Sequence, residues 1–329
     1  MKNPFLNDVT VAVTNRCQLR CLACGIWKER ANREISGARF VRMMEELLSL
    51  YQIGFVSVTG GEPFLHPGIG GILRYLTMVR AKGRINGVGI YTNGASPAII
   101  KKVLEADPIV RKGLSVGISV DGMEKVHDAL RGHGAWQRTR NTLTWLASPA
   151  GEGIDREVKF TISRENYGEL EQVHAMARQF GARFSPKIME HDVRAYYHRG
   201  SVPGVKKLSS LTPVMVRSVK EQLDRIVRAG GKGVNKKMLA AVVELLASGK
   251  KAITGCRTPQ RSLFITSSGD VYPCLYMSSA GKIGVRGELP AALDRSRALL
   301  GKKASDGKCP RCFAYHGFLR WFNLKYLQQ

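Results

Sequence analysis

Through the first half of the chain, short apolar, β-branched runs alternate with stretches of helical spacing. Residues 9–13 (VTVAV), 54–59 (GFVSVT), 87–92 (GVGIYT), 114–120 (LSVGISV), 157–162 (EVKFTI) and 182–188 (ARFSPKI) read as strands. Residues 38–51, 69–79, 97–106, 136–147 and 167–180 read as helices; in the first, Phe40, Met43, Met44, Leu47 and Leu48 fall on one face. Six strands, each followed by a helix or crossover, predict a parallel α/β sheet or partial barrel. The strands read as near-continuous apolar runs, the pattern of strands covered on both faces. Past residue 188 the rhythm stops. Residues 191–202 read as loop, 213–229 and 236–247 as two helices joined by a Gly-rich turn, and 262–266 with 271–276 as a hairpin around Ser267-Ser268-Gly269-Asp270. A short strand over 282–285 and a helix over 290–300 follow.

Length and charge narrow this picture. The 329 residues are 44% hydrophobic, enough to bury one large domain or two ordinary ones. The N-terminus lacks the features of a signal peptide. The longest apolar run, 238–247, is too short to span a bilayer and is interrupted by Glu244. A cytoplasmic protein is expected. The first strand starts within ten residues of Met1, so no leader-peptide-binding domain is expected ahead of it. Formal net charge is +25, and from residue 200 onward 23 Lys and Arg face seven Asp and Glu. Such an excess attracts nucleic acid, phosphorylated small molecules, acidic peptides or acidic membrane surfaces. Plain solubility, or compensation of buried anionic centres, accounts for it equally well.

The seven cysteines lie near the two ends of the chain, with none between residues 25 and 255. In a cytosolic protein such clusters read as metal sites. Cys17, Cys21 and Cys24 follow the first strand at spacing C-x3-C-x2-C. Three soft thiolates on one loop converge on one metal centre. A structural zinc would need a fourth ligand, here from elsewhere in the chain. A four-iron cluster would keep one iron open. Further polar and Gly motifs follow the next strands: Gly60-Gly61-Glu62-Pro63 after the second, Thr92-Asn93-Gly94 after the third, and Ser119-Val120-Asp121-Gly122 after the fourth, with His127-Asp128 and Leu130-Arg131-Gly132 downstream. Each alone reads as a turn. All lie at C-terminal strand ends, the rim on which barrel enzymes assemble their sites.

The cysteine triplet, GGEP and the Ser119/Asp121 strand end with its HDxLRG resemble the radical S-adenosylmethionine (SAM) enzymes over residues 8–188. The resemblance implies a partial (β/α)6 TIM-type barrel. It implies that Cys17, Cys21 and Cys24 hold a [4Fe-4S] cluster whose open iron chelates the amino and carboxylate groups of SAM. The backbone of Gly60, Gly61 and Glu62 would approach the SAM amino group. Ser119 and Asp121 would lie near its ribose or carboxylate, and Arg131 would pair with the carboxylate; Asn93 is grouped with these cofactor-side residues. One departure stands out: the residue before the third cysteine, usually aromatic, is Ala23, so the adenine pocket is expected to be shaped otherwise. Trp27 is read as core, with substitution for that missing aromatic as the alternative.

Cys256, Cys274, Cys309 and Cys312 form the second group, as C-x12-G-x4-C around Gly269 and then C-x2-C. Spacing alone fits a structural zinc or a fully ligated iron–sulfur cluster. The pattern resembles the shortened SPASM, or "twitch", extension behind radical SAM barrels, which implies an auxiliary [4Fe-4S] cluster. The expected division is a barrel over 1–190, a helical linker over 191–250 and a small α+β Cys-rich auxiliary-cluster domain over 251–329. Two clusters use all seven cysteines, which disfavours Cys-quenched epimerases and cysteine-relay methyltransferases; Tyr91, Tyr196 and Tyr197 stay open as hydrogen donors. The resemblance implies modification of a peptide or protein by oxidation, cross-linking or rearrangement. An anionic small molecule, sugar or lipid head group is the alternative. A non-catalytic metal-binding protein associated with nucleic acid is the rival class, and nucleic acid is disfavoured as a partner. An external donor such as flavodoxin or ferredoxin is expected. The aromatic and basic residues over 314–327 would permit peripheral membrane contact, or simply pack on their own domain. His127, His174 and His191 are read as structural or solvated.

Overall fold

The computed structural model describes residues 4–29, 32–189, 210–230, 261–274, 279–283 and 291. Six parallel strands, β1 (Phe5–Thr14), β2 (Gln52–Gly60), β3 (Ile85–Thr92), β4 (Leu114–Ser119), β5 (Asp155–Ile162) and β6 (Arg183–Ile188), lie side by side in chain order. Helices α1 (Gly37–Leu50), α2 (Ile69–Ala81), α3 (Pro97–Glu105), α4 (Pro108–Arg111), α5 (Glu124–Arg131), α6 (Ala135–Ala147) and α7 (Leu170–Gln179) fill the crossovers, and α8 (Pro213–Ala229) packs on α7. This is the expected partial (β/α)6 barrel. Among the described residues, no helix is long and apolar enough to cross a membrane.

The strands are two-faced, which corrects their reading as apolar on both sides. Val9, Val11, Val56, Val58, Val88, Ile90, Val116, Ile118, Val158 and Phe160 join the core under the helices. Phe40 of α1 is fully buried there, and its removal would cost about 3–5 kcal/mol. The alternate positions carry a polar inner face. Lys159 Nζ stands 2.9 Å from Glu157, 3.4 Å from Ser185 Oγ and 5.0 Å from the Tyr91 ring centre. Arg183 reaches Ser115 Oγ at 3.2 Å. Gly87 and Gly89 lie against the Phe55 ring, and Gly117 against Tyr91, where a Cβ would overlap the ring. The inner face is filled by a few large side chains lying over glycines.

The sheet does not end at β1. Strand β7 (Ser262–Ile265) pairs in parallel with β1, from Asp8 with Ser262 to Val11 with Ile265. Strands β8 (Asp270–Tyr272) and β9 (Gly281–Lys282) continue it antiparallel, giving nine strands among the described residues. The hairpin expected over 262–276 forms in its described part, Ser262–Ile265 with Asp270–Tyr272, and extends the barrel sheet. Ser262 Oγ donates to Asp8 at 2.7 Å, and Arg39 Nη2 on α1 donates to Ile283 O at 2.6 Å. Gly269 sits in the hairpin turn at φ +88°, under the Arg39 guanidinium. The Gly of G-x4-C thus makes the turn, and Cys274 follows directly on β8. The loop over 191–202, the helix over 236–247, all but residue 291 of the helix over 290–300, the C-terminal tail, His191, Tyr196, Tyr197, Cys256, Cys309 and Cys312 lie outside the described residues.

Candidate active site

Strand β1 delivers the cysteine loop, and the loop is closed at its neck. Ile35 N–H donates to Val13 O (2.9 Å) and Asn15 N–H to Arg33 O (3.1 Å), while Asn15 Oδ1 accepts from Arg33 N–H (2.7 Å). Leu22 N–H reaches across to Leu130 O at 2.9 Å, pinning the loop to α5. Cys17, Cys21 and Cys24 are half-buried thiols not joined in disulfides. Burial, with a contribution from Glu62 and the neighbouring cysteines, pushes Cys17 up to about 12; burial also raises Cys21. A metal binding here must displace protons. Among the described residues, no three His, Cys, Asp or Glu side chains are grouped to chelate a single ion. A four-iron cluster takes each thiolate on a different iron and so fits a wider triad, and three soft thiolates suit iron–sulfur chemistry.

Gly60 and Gly61 are glycines because the cysteine loop lies on them. Gly61 N–H donates to Thr14 O (2.8 Å) and Glu62 N–H to Arg16 O (2.7 Å). A Cβ on Gly61 would fall 2.7 Å from Arg16 C and overlap its oxygen; one on Gly60, at φ +143°, would overlap Thr14 O. The two N–H groups are thereby committed to the cysteine loop. What this turn can offer a bound ammonium is carbonyl oxygen.

Glu62 is fully buried, and all its partners are donors. Oε1 accepts from Phe64 N–H (3.1 Å) and Oε2 from Asn93 N–H (2.9 Å), with Thr92 Oγ1 2.9 Å from each. Burial outweighs these bonds and raises the carboxyl to about 7. Because the folded value lies above the ordinary 4.5, this group's contribution to stability is full below 4.5 and falls as pH rises toward about 7. Glu62→Gln is expected to cost about 1–3 kcal/mol below that range and less above it, where the wild type has already lost this contribution. Either amide orientation points an NH2 at a backbone N–H, of Phe64 or of Asn93, and neither can turn away. Urea unfolding of the apoprotein at pH 5 and pH 8 checks both the loss and a flatter pH dependence; an unchanged midpoint would show that the carboxylate holds nothing.

On the other side of the rim, α5 accounts for HDxLRG residue by residue. His127 Nδ1 accepts from Asp121 N–H at 3.3 Å. Its ring is fully buried against Trp136, and burial, reinforced by Arg131, lowers it to about 4, so it stays neutral. Asp128 accepts from Gly134 N–H (2.6 Å) and Trp136 N–H (2.7 Å), capping α6. Leu130 O takes the Leu22 bond, and Arg131 Nε donates to Asp121 Oδ2 at 2.7 Å. Burial alone would lower Arg131; Asp121, Cys21 and Cys24 outweigh it and hold the cation firmly charged. Asp121 Oδ1 faces Thr161 N–H at 3.4 Å.

The rim thus brings the predicted residues together in two groups: Gly60, Gly61, Glu62 and Asn93 beside Cys17, and Asp121 with Arg131 beside Cys21 and Cys24. Ser119 ends β4 two residues before Asp121. Sequence reasoning missed Gln18, whose Nε2 donates to Asn93 Oδ1 (3.1 Å) and Ser96 Oγ (2.9 Å). It missed Arg20, which donates to the carbonyls of Cys17 (2.7 Å) and Leu19 (3.0 Å). Trp27 is not core. It is half-buried, donates from Nε1 to Cys21 O at 3.3 Å and lies between Arg20 and Lys28, 5.5 and 5.3 Å from its ring centre. Tyr91 is half-buried on the inner face of the barrel, its Oη 3.4 Å from Ser57 Oγ.

Residues 11–181 match the family described as the radical SAM superfamily. The mycofactocin maturase MftC of Mycobacterium ulcerans (strain Agy99) is 27% identical over 271 residues, 81% of this chain and 67% of its own. The antilisterial bacteriocin subtilosin biosynthesis protein AlbA of Bacillus subtilis (strain 168) is 28% identical over 184 residues, 55% of this chain and 38% of its own. The chain thus spans about two thirds of the first relative and well under half of the second. Among solved structures, Streptococcus suis SuiB bound to S-adenosylmethionine shares the fold at TM-score 0.59 and 17% identity, over 84% of this chain and 63% of that one. The anSMEcpe structure with AdoMet and the Cp18Cys peptide does so at TM-score 0.59 and 16% identity, over 98% and 96%.

Proposed function

The chain belongs to the radical SAM superfamily, and from that premise we propose that this enzyme modifies a peptide or protein. The observation that carries the reading is the open set of three thiols, stapled to the Gly60–Gly61 turn at the mouth of a barrel. Its similarity to proteins named as maturases of mycofactocin and as a subtilosin biosynthesis protein supports a peptide substrate. Oxidation, cross-linking and rearrangement all fit a chain whose cysteines are taken up by metal centres. When bound, the [4Fe-4S] cluster supplies the electron that cleaves the sulfonium C–S bond of SAM to methionine and a 5′-deoxyadenosyl radical able to abstract substrate hydrogen.

The chain's own residues place and confine that chemistry. Cys17, Cys21 and Cys24 are the ligands. The Gly60 and Gly61 carbonyls receive the SAM ammonium, and Glu62, engaged through its carboxylate and both backbone groups, shapes the turn that presents them. Arg131 takes the SAM carboxylate, oriented by Asp121, and Ser119 faces the ribose. Asn93 acts beside Cys17. The ion-paired inner face of the barrel keeps its packed side chains fixed and limits water beneath the site. Cys256, Cys274, Cys309 and Cys312 hold an auxiliary [4Fe-4S] cluster within residues 251–329, joined by the linker 191–250 to the barrel of 1–190. The enzyme works in the cytoplasm with an external donor of the flavodoxin or ferredoxin class, and its basic C-terminal part contacts anionic surfaces.

Anaerobic reconstitution tests this. About eight irons per chain, for two four-iron clusters, and SAM cleavage to 5′-deoxyadenosine are expected. Two zincs and no cleavage would defeat the reading. The basic excess of residues 200–329 favours one alternative, an anionic small molecule; turnover that collapses with rising ionic strength would support it over a neutral peptide.

A further inference from the structure

We propose that Asn93 is a positioning residue for the cluster: its side-chain amide donates to the Cys17 thiolate and raises the reduction potential of the centre held there. The inference rests on the reading of Cys17 as an iron ligand and goes beyond it to how readily that centre accepts its electron.

Asn93 Nδ2 lies 3.6 Å from Cys17 Sγ, an ordinary N–H···S separation. The amide cannot be turned around. Its Oδ1 accepts from Ala95 N–H at 2.8 Å, and a backbone N–H has nothing to accept with, so the oxygen faces Ala95 and the NH2 faces Cys17. Gln18 completes the clamp, donating to Oδ1 and accepting from Nδ2 at 3.4 Å. The backbone is held as tightly: Asn93 N–H donates to Glu62 Oε2, and Asn93 O accepts from Thr139 Oγ1 at 2.9 Å. Asn93 is nearly fully buried, where a hydrogen bond is electrostatically stronger than in water. Every polar atom of the residue is engaged, and one of its donors is aimed at a thiol of the triad. Structural support alone would not require a donor to point at sulfur.

The physical effect has a definite sign. One-electron reduction adds negative charge to the cluster and its thiolates. An N–H dipole at Cys17 offsets that charge and favours the reduced form, as hydrogen bonds to cluster sulfurs generally do. Without it the centre is harder to reduce.

The test is a redox titration of the reconstituted full chain, followed by electron paramagnetic resonance, on wild type, Asn93→Ser and Asn93→Asp. Serine keeps an oxygen able to accept from the N–H two residues on, and aspartate keeps Oδ1; both lose the amide donor. The oxidised-to-reduced ratio at a fixed potential is expected to rise about tenfold in N93S, a midpoint about 59 mV lower for one electron. The shift in N93D is at least as large, because its charge acts in the same direction. An exchangeable proton coupled to the reduced cluster should vanish in both. A variant that keeps full iron content and a wild-type midpoint overturns the proposal. Loss of the cluster from both variants also overturns it, since Asn93 would then hold the centre rather than tune it. Failure of the wild type to assemble a cluster sinks the underlying reading instead, and is seen separately in its iron count.

Discussion

Cys17→Ala is expected to abolish reductive cleavage of SAM. The loop offers three thiols and its neck is closed by backbone bonds, so the loss of one ligand leaves two on a loop that cannot slide to supply another. The nearby polar groups do not replace a soft thiolate: Gln18 and Asn93 are neutral amides, Arg131 is a cation, and the hard Glu62 carboxylate is held by Phe64, Thr92 and Asn93. Cys309→Ala, placed by sequence in the second cysteine group, is expected to leave some SAM cleavage uncoupled from product. Measuring 5′-deoxyadenosine and modified substrate in parallel separates the two roles. Equal and total loss of cleavage in both variants would refute the division of labour between the centres.

Gly61→Ala is expected to cost about 3 kcal/mol and to strip iron from the first centre. The new methyl would meet Arg16 C at 2.7 Å and Asn15 O at 2.8 Å. These are backbone atoms and cannot swing aside as a side chain would. Relief requires the β2 turn to part from the cysteine loop, breaking the Gly61–Thr14 and Glu62–Arg16 bonds and letting the ligands drift. Gly70→Ala and Gly71→Ala on α2 are the controls, because a Cβ there meets nothing within 4 Å; these should be neutral or gain about 0.5–1 kcal/mol. Thermal unfolding of the apoprotein with iron content after reconstitution reads both effects. A G61A protein as stable and iron-replete as G71A would mean that the two loops are not in contact.

The six barrel strands were legible because their outward positions carry a β-branched or aliphatic residue at nearly every second place. The rim was legible because Cys, Gly and Asn interrupt those runs abruptly. Helix α5 was not: it has eight residues and only His127 and Leu130 of it are buried, so its apolar stripe is too short to stand out from a loop. The polar inner face was hidden by its glycines and by Tyr91, which score as apolar or neutral in any window. Pairing of β7 with β1 joins residues 254 positions apart through Ser262 and Asp8, and no local pattern carries such a partner. Gln18 and Arg20 were invisible for another reason. A polar residue between two cysteines looks the same whether it braces the loop or faces solvent.

The strand order around β1 also settles which of the described thiols can meet. Strand β7 runs alongside β1, and β8 turns back against it, so Tyr272 lies level with Phe264 and hence with Thr10. Cys274 leaves the sheet two residues further down, while Cys17 leaves it above Thr14. Some six strand residues separate these levels, about 20 Å at ~3.3 Å per residue. A disulfide needs Cα atoms within about 7 Å. Among the described cysteines, air oxidation of the apoprotein's loop can therefore cross-link only Cys17, Cys21 and Cys24 with one another, and Cys274 can neither rescue that lesion nor serve as a fourth ligand to the loop. Thiol reductant should restore reconstitution of an air-oxidised first centre without disturbing the far end of the sheet.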